Sequence, residues 1–431
     1  MTNAPLHSVA NHPLPGPAST RPRREAALAE FSAIGWPTPQ RERWRYTDLH
    51  GLVGGDFDLA PSAPQRAELE LAAPLLATTP AANRECRLVF VDGHRIPELS
   101  ATTIENLEIA DLETGWRGFE ASYADRIATK DHPLAALNTA FTQQGLWLRV
   151  PARTAVAAPL HLVFISSPRA ALAPQPRIVI ETGEGASLTV VQYYIDSHPG
   201  SGWINSVTQV QQAAHSKLDL YRIQRHSPEQ AHTSLLAAEV GADAELTVGY
   251  MDLGGRLVRN DVDVKLAERG ARTELFGLFL AGAGQHIDDH VLVDHAAPET
   301  RSDENFRGII GRRGRGIFNG KVIVRPNAQR IDARQSSDNL LLAEHAEIDT
   351  KPEFEIYADD VKCSHGSTVG ELDADQLFYL RTRGMGEAEA RELLTAAFAA
   401  TVLERVRDLE THEYLVGLVA AELTRIAEQP K

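Results

Sequence analysis

The stretch EGASLTV (184–190) returns with variations as AAHSKLDL (213–220), GADAELTV (241–248) and RGARTELF (269–276). Each copy is a turn of small and polar residues followed by alternating apolar and polar positions, the pattern of a strand with one buried face. The turn alanines Ala186, Ala214, Ala242 and Ala271 stand 28, 28 and 29 residues apart. A fixed period of this length marks units that bury their apolar faces on one another. Working outward, the same character holds from Leu146 to about Leu372, through HLVFI, RIVIE, VDVKL, TELFGLFL, HVLVDH, GKVIV and EFEIYA. NAQRID at 327 and HAEIDT at 345 repeat the turn later in the chain. The region reads as a mostly β fold, with a solenoid favoured. A sandwich of meandering hairpins is the alternative, opposed by the scarcity of Asn-Gly and Asp-Gly turns.

Flanking segments read differently. Residues 1–20 are Pro-rich and are expected to form a disordered lead. Residues 21–145 suggest a mostly helical domain, with a helix over 23–34, another over 131–145, and a β-hairpin at CRLVFVDGHRIPEL (86–99) around Asp92-Gly93. In RERWRYTDLHGL (41–52), Trp44, Tyr46 and Leu49 are expected to anchor while the arginines face water. Residues 373–431 return to a helical period, with stripes at Leu393, Leu394, Ala397, Val402 and Val406 and then at Leu415, Leu418, Val419, Leu423 and Ile426. The domain division is therefore 1–20, 21–145, 146–372 and 373–431.

A formal charge of −15 argues against a general nucleic-acid binder but leaves room for a local basic patch. Two cysteines, Cys86 and Cys363, cannot supply four thiolates to a cluster or build a disulfide framework. No run approaches the roughly 20 apolar residues that span a bilayer. The expectation is a cytoplasmic protein without a membrane segment. No phosphate-binding G-x-x-x-x-G-K-[ST] loop is present, so no ATP site is expected in this chain.

The residues with chemical potential fall in four places. Cys363 and His365, in KCSHG, share one face if the segment is extended, and a thiol with an imidazole can ligate a metal or an iron–sulfur intermediate. The plainer reading is a buried Cys beside a hydrogen-bonded His. For a Cys–His protease or acyltransferase, Glu355 or Asp360 is the orienting group to be nominated, with no oxyanion donors marked. HIDDHVLVDH places His286, Asp288 and His290 on one strand face near His295, which fits either a metal site or a polar outer face. GRRGRG gathers Arg312, Arg313 and Arg315, suited to an acidic surface, a phosphate or a solvated turn.

EIDTKPEFEIYADDVKCSHGSTVGELDADQLFYLRTRG (347–384) resembles the SufD-type C-terminal signature of the SufB/SufD family, scaffold subunits of the SUF iron–sulfur cluster assembly machinery. RWRYTDL near the N-terminus agrees. The resemblance implies a right-handed parallel β-helix between an N-terminal mixed helical domain and a C-terminal helical domain. It implies a non-catalytic scaffold paired with a SufB-like paralogue and with SufC-like ATPase chains, one of them docked on helices over about Glu387 to Ile426. It further implies that Cys363 and His365 are ligands or supports of a nascent cluster at the paralogue interface, with a reduced flavin associated with the complex. The oligomeric state in isolation is left open by the sequence, with a homodimer as one option. The alternatives are a purely architectural adaptor without metal contact and a β-helical enzyme acting on an acidic polysaccharide.

Overall fold

The computed structural model describes residue 9 and residues 12–427, except 54, 113–129, 170 and 197–201. Most of the first eleven residues of the Pro-rich lead lie outside this range. From Leu146 to Gly370 the strands alternate between two sheets, so each coil gives one strand to each wall. Neighbouring strands within a wall come from successive coils and pair in parallel. The result is a parallel β-solenoid of about eight turns. Parallel pairing between coils excludes the hairpin sandwich, whose strands would run antiparallel.

Register explains the repeat and corrects one detail of it. Ser187, Lys217, Glu245, Arg272, Arg301, Asp332 and Lys362 are successive rungs of one wall, each coil taking roughly thirty residues. The residues just before these rungs in the first four coils are Ala186, Ser216, Ala244 and Ala271. The four evenly spaced alanines thus mix two structural positions, since Ala214 and Ala242 lie two residues earlier in their turns.

What the turns share is backbone conformation. Gly185, His215, Asp243, Gly270, Glu299 and Arg330 all have positive φ. The N–H of each donates to a carbonyl in the corner of the next coil, from Gly185 to Ala214 through to Arg330 to Asp360. One left-handed residue per coil therefore turns the chain and also bonds the coils along the corner.

The hairpin forms as expected, with Phe90 opposite Arg95 and positive φ at Asp92 and Gly93. Its first strand, Cys86–Val91, also pairs in parallel with Leu160–Ser166 and so starts one wall of the solenoid. Seven helices are described, α1 (Arg21–Ile34), α2 (His50–Val53), α3 (Arg66–Leu76), α4 (Pro133–Phe141), α5 (Ala374–Thr382), α6 (Glu387–Leu403) and α7 (Leu409–Ala427). None is long and apolar enough to cross a membrane among the described residues.

The last two helices close the outer face of one wall. Val402, Leu415, Val419, Leu423 and Ile426 join Tyr193, Tyr221, Phe276 and Leu278 in one apolar cluster. Arg405 and Arg407 hold the connection between the helices against Glu274 at 2.9 Å each. The predicted stripe of α7 is the buried one, but in α6 the buried residues are Ala390, Thr395, Ala399, Val402 and Leu403, whereas Leu393 is exposed. The helix is rotated from the expected stripe because small residues let it lie close to the sheet.

The segment 41–52 seals part of the opposite wall, and here the arginines do not all face water. Trp44 and Leu49 are buried as expected. Arg43 reaches Asp263 at 2.8 Å and Asp261 at 3.2 Å. Arg259, fully buried, bonds Asp288 (2.6 Å), Asp261 (2.9 Å) and the Arg43 carbonyl (2.8 Å), with its guanidinium 4.5 Å from the Trp44 ring centre. Burial alone would raise the Asp261 pKa, but Arg259 and Arg43 outweigh it and hold this carboxyl well below the usual range. Removing one member of such a buried set strands the remaining charges. Arg259→Leu is expected to lower unfolding stability by about 3 to 5 kcal/mol and to expose the 41–52 segment to limited proteolysis. A loss below about 1 kcal/mol in denaturant titration would show that the network is not holding the segment.

Candidate functional site

Odd-numbered residues of the last strand, Val361–Gly370, continue the inward-facing columns of the wall beneath it. Cys363 lies over Ala333, His365 over Gln335 and Ser367 over Ser337. In the opposite wall Thr350, Pro352 and Phe354 continue the inward columns of Phe318, Gly320 and Val322. The mouth of the solenoid is therefore lined by Cys363, His365 and Ser367 on one side and by Thr350 and Phe354 on the other. Thr350 and Ser367 join across it through their hydroxyls at 2.8 Å. The rings of Phe354 and His365 are 5.0 Å apart.

Cys363 is half-buried and packs against the interior apolar cluster, while His365 is exposed. Burial, and then the charge of Asp332, push the Cys363 thiol up, so it is protonated at neutral pH. Two residues on one strand face, about 6 to 7 Å apart along the chain, make at most half a metal site. Among the described residues no group of three or more His, Cys, Asp or Glu is arranged to hold a metal. Cys86 cannot complete it. It begins the strand at the other end of the wall, roughly 40 Å away at the usual strand spacing, with its thiol on the Thr103 carbonyl.

Below His365 the same column runs Gln335 and then Glu304, two residues that reading the sequence did not single out. The sequence repeat does not find them, because its spacing of 28 to 29 residues counts back from His365 to Ser337 or Ser336 rather than to Gln335. Gln335 donates to Glu304 at 2.8 Å, and both side chains are buried. The Gln335 amide fits because its facing residue is Gly320, where a Cβ would meet the amide nitrogen at 2.2 Å. Burial pushes Glu304 up to about 8, so it is a neutral acid at pH 7. One oxygen of each side chain, Oε1 in both cases, has no hydrogen-bond partner among the described residues. The mouth thus has a polar floor beneath the imidazole.

A second polar region lies deeper in the solenoid. Arg222 bonds Asp252 at 2.8 Å, Asn260 joins Asp252 to Asp289, and His232 contacts Arg222, His226 and Ser206. Phe306 and Phe318, 4.8 Å apart, fill the coil between it and the mouth. The two regions are separate compartments.

The other candidate residues are placed elsewhere. His286, Asp288 and His290 share an outer face as expected, but beneath the 41–52 segment. Asp288 is committed to Arg259 and Thr47, and His290 sits 3.1 Å from Asp288. His295 faces inward and is satisfied by Thr300 and Ser302. The cluster is an ion-pair and hydrogen-bond network, which corrects the metal reading. Glu355 faces away from His365 and pairs with Lys321, while Asp360 sits in the corner beyond Arg330. Neither orients the imidazole. Of the arginines at 312–315, Arg313 forms the left-handed turn and Arg315 pairs with Asp349 at 3.0 Å.

Residues 164–398 match the family model for the SUF system FeS cluster assembly SufBD core domain. The iron–sulfur cluster assembly protein SufD of Escherichia coli is 30% identical over 419 residues, 95% of this chain and 92% of that protein. An iron–sulfur cluster assembly SufBD family protein of Synechocystis is 29% identical over 401 residues, 89% of this chain and 87% of its own. Protein ABCI7, chloroplastic, of Arabidopsis thaliana is 26% identical, with 90% of this chain and 83% of that protein covered. The chain belongs to the SufBD family. It is a SufD-like member, and its role lies in iron–sulfur cluster assembly.

The Glu304 proton gives a test of the polar floor. The native protein keeps this proton up to about pH 8, whereas a carboxyl at its ordinary 4.5 has lost it. Its contribution to stability is therefore complete below about 4.5 and declines as pH rises toward 8. Thermal unfolding of parent and Glu304→Gln across this range should show the parent losing ground to the variant as pH rises. A difference that stays constant with pH would mean that the carboxyl is not held neutral.

Proposed function

We propose that this chain is the non-catalytic SufD-type scaffold of a cytoplasmic complex with a SufB-like paralogue and SufC-like ATPase subunits. An iron–sulfur cluster under assembly is its cargo, built at the mouth between this chain and the paralogue. One observation carries the reading. Both walls end on ten-residue strands, Glu347–Ile356 and Val361–Gly370, each with a described partner on one side only. Their free edges and the exposed Ile356 (40%) and Val369 (48%) invite continuation of the sheets by another chain. A related solenoid with its own open coil fits those edges, and its residues complete the half-site of Cys363 and His365. Without the paralogue, a second copy of this chain offers the same edges.

Iron binds the thiolate rather than the thiol, so ligation by Cys363 releases its proton. Burial keeps the thiol protonated, and hence a weak nucleophile, until metal arrives. The reduced flavin associated with the family belongs in this reading to the complex, with no residue of this chain assigned to it.

We propose a different ATPase surface from the one expected over about Glu387 to Ile426. Helices α6 and α7 spend their buried stripes on the solenoid, whereas α5 buries no residue and exposes Phe378 (69%) and Tyr379 (57%). We assign ATPase docking to α5 together with the outward side of α6 at Leu393. Because α5 follows the last strand directly, a movement imposed on it by ATP-driven closure of the ATPase subunits reaches the mouth through few intervening residues. Such coupling requires that the partner bind two states of the mouth unequally.

Coexpression with the two partners under anaerobic iron and sulfide supply tests the site. Cys363→Ala and His365→Ala are expected to retain the assembled complex by native mass spectrometry while losing most of the cluster signal in Mössbauer and absorption spectra. Full cluster yield in both variants would favour the purely architectural adaptor. In the same system Phe378→Ala with Tyr379→Ala should release the ATPase and leave the paralogue bound, and Val369→Asp should do the reverse. Loss of the same partner in both would refute the two-surface assignment.

A further inference from the structure

The locked segment 41–52 presents a second surface opposite its anchors. With Trp44, Thr47 and Leu49 buried, Arg45 and Asp48 face outward and Tyr46 is half-buried. They stand against a corner of the solenoid where three coils stack their residues in register. Leu257, next to Arg256, lies beside His286, and His286 lies beside Arg315. Together these groups enclose a pocket of about 420 Å³, within the range of small-molecule sites and larger than a bare inorganic anion needs.

The charge of this pocket is not balanced. Arg315 spends part of its guanidinium on Asp349 at 3.0 Å. Arg45 and Arg256 make no side-chain hydrogen bond or ion pair among the described residues. The single lining carboxylate, Asp48, accepts from the backbone of His50 at 2.8 Å. A cleft of about 380 Å³ on the opposite wall has four arginines against four carboxylates. In a chain of net charge −15, uncommitted guanidiniums brought together in one cleft repel each other unless an anion joins them.

The floor adds a polar acceptor. Thr47 has one hydroxyl proton and gives it to the Asp288 carboxylate, so it accepts from Nε2–H of His286 at 2.8 Å. Nδ1 of His286 then keeps a lone pair, with no partner among the described residues, that can accept from a ligand hydroxyl.

We infer that this pocket binds a small organic phosphate of about nucleotide size. Forked guanidiniums match phosphate oxygens two at a time. The ring of Tyr46 and the lone pair of His286 suit an organic part that carries a ring and hydroxyl groups. An acidic segment of a partner protein fits less well, because the cleft is walled on one side by the 41–52 segment and on the other by the solenoid.

Titration calorimetry of the purified full chain with ADP and with inorganic pyrophosphate tests the site. ADP is expected to bind at one site per chain, more tightly than pyrophosphate. Arg45→Gln and Arg256→Gln should each weaken ADP roughly tenfold or more, with unfolding temperature unchanged because both side chains are exposed. Arg334→Gln, in the balanced cleft, should leave binding as it was. Equal affinity for the two probes would overturn the organic part of the assignment. Absence of saturable binding by either probe, or affinity indifferent to Arg45 and Arg256, would overturn the site.

Discussion

A parallel solenoid satisfies the backbone of each coil with the next one, and this chain depends on that constraint throughout. Strands bond forward to strands one coil away, and the left-handed corner residues donate forward as well. Each coil is complete only when another lies on it. A coil at the end therefore presents two rows of unpaired peptide groups, a feature that proteins cover or use. Here the first coil is flanked by the hairpin and by the short antiparallel strand Glu108–Asp111. The last coil carries the chemically distinctive residues and has no such cover among the described ones.

The interior follows from the same stacking. A column persists in apolar form as long as each coil repeats the residue type, as Leu188, Leu218 and Leu246 do. The column through Val190, Leu220, Val248 and Leu275 changes character at Glu304 and stays polar through Gln335 to His365. That switch turns a dry core into a polar mouth. A carboxyl set into it must give up its charge, since burial without a cation disfavours the ionised form. Arg259 represents the opposite solution. Its buried charge is kept because Asp261, Asp288 and the Arg43 carbonyl surround it.

Much of this was legible in sequence because it is periodic. Alternation gave the strands, the turn repeat gave the solenoid, and the Cys-Ser-His spacing put Cys363 and His365 on one face. The KCSHG signature, within the longer 347–384 match, identified the family that the comparisons bear out. The stripe of α7 was also correct. The stripe expected for α6 held at Val402 and Val406 but not at Leu393 and Ala397, because alanine and threonine carry little hydrophobic signal yet are the residues that let a helix approach a sheet closely.

What the sequence by itself determined is whatever neighbours along the chain decide, namely strand period, turn positions and the shared face of a thiol and an imidazole. Tertiary structure alone decided what lies one coil away. It put Glu304 and Gln335 beneath His365, committed Asp288 to Arg259 rather than to a metal, and gathered Arg45, Arg256 and Arg315 from three separate stretches. The physical reason is coil length. Turns vary by a residue or two from coil to coil, so register between distant residues is set by the closing of each coil's hydrogen bonds and packing rather than by a count along the chain.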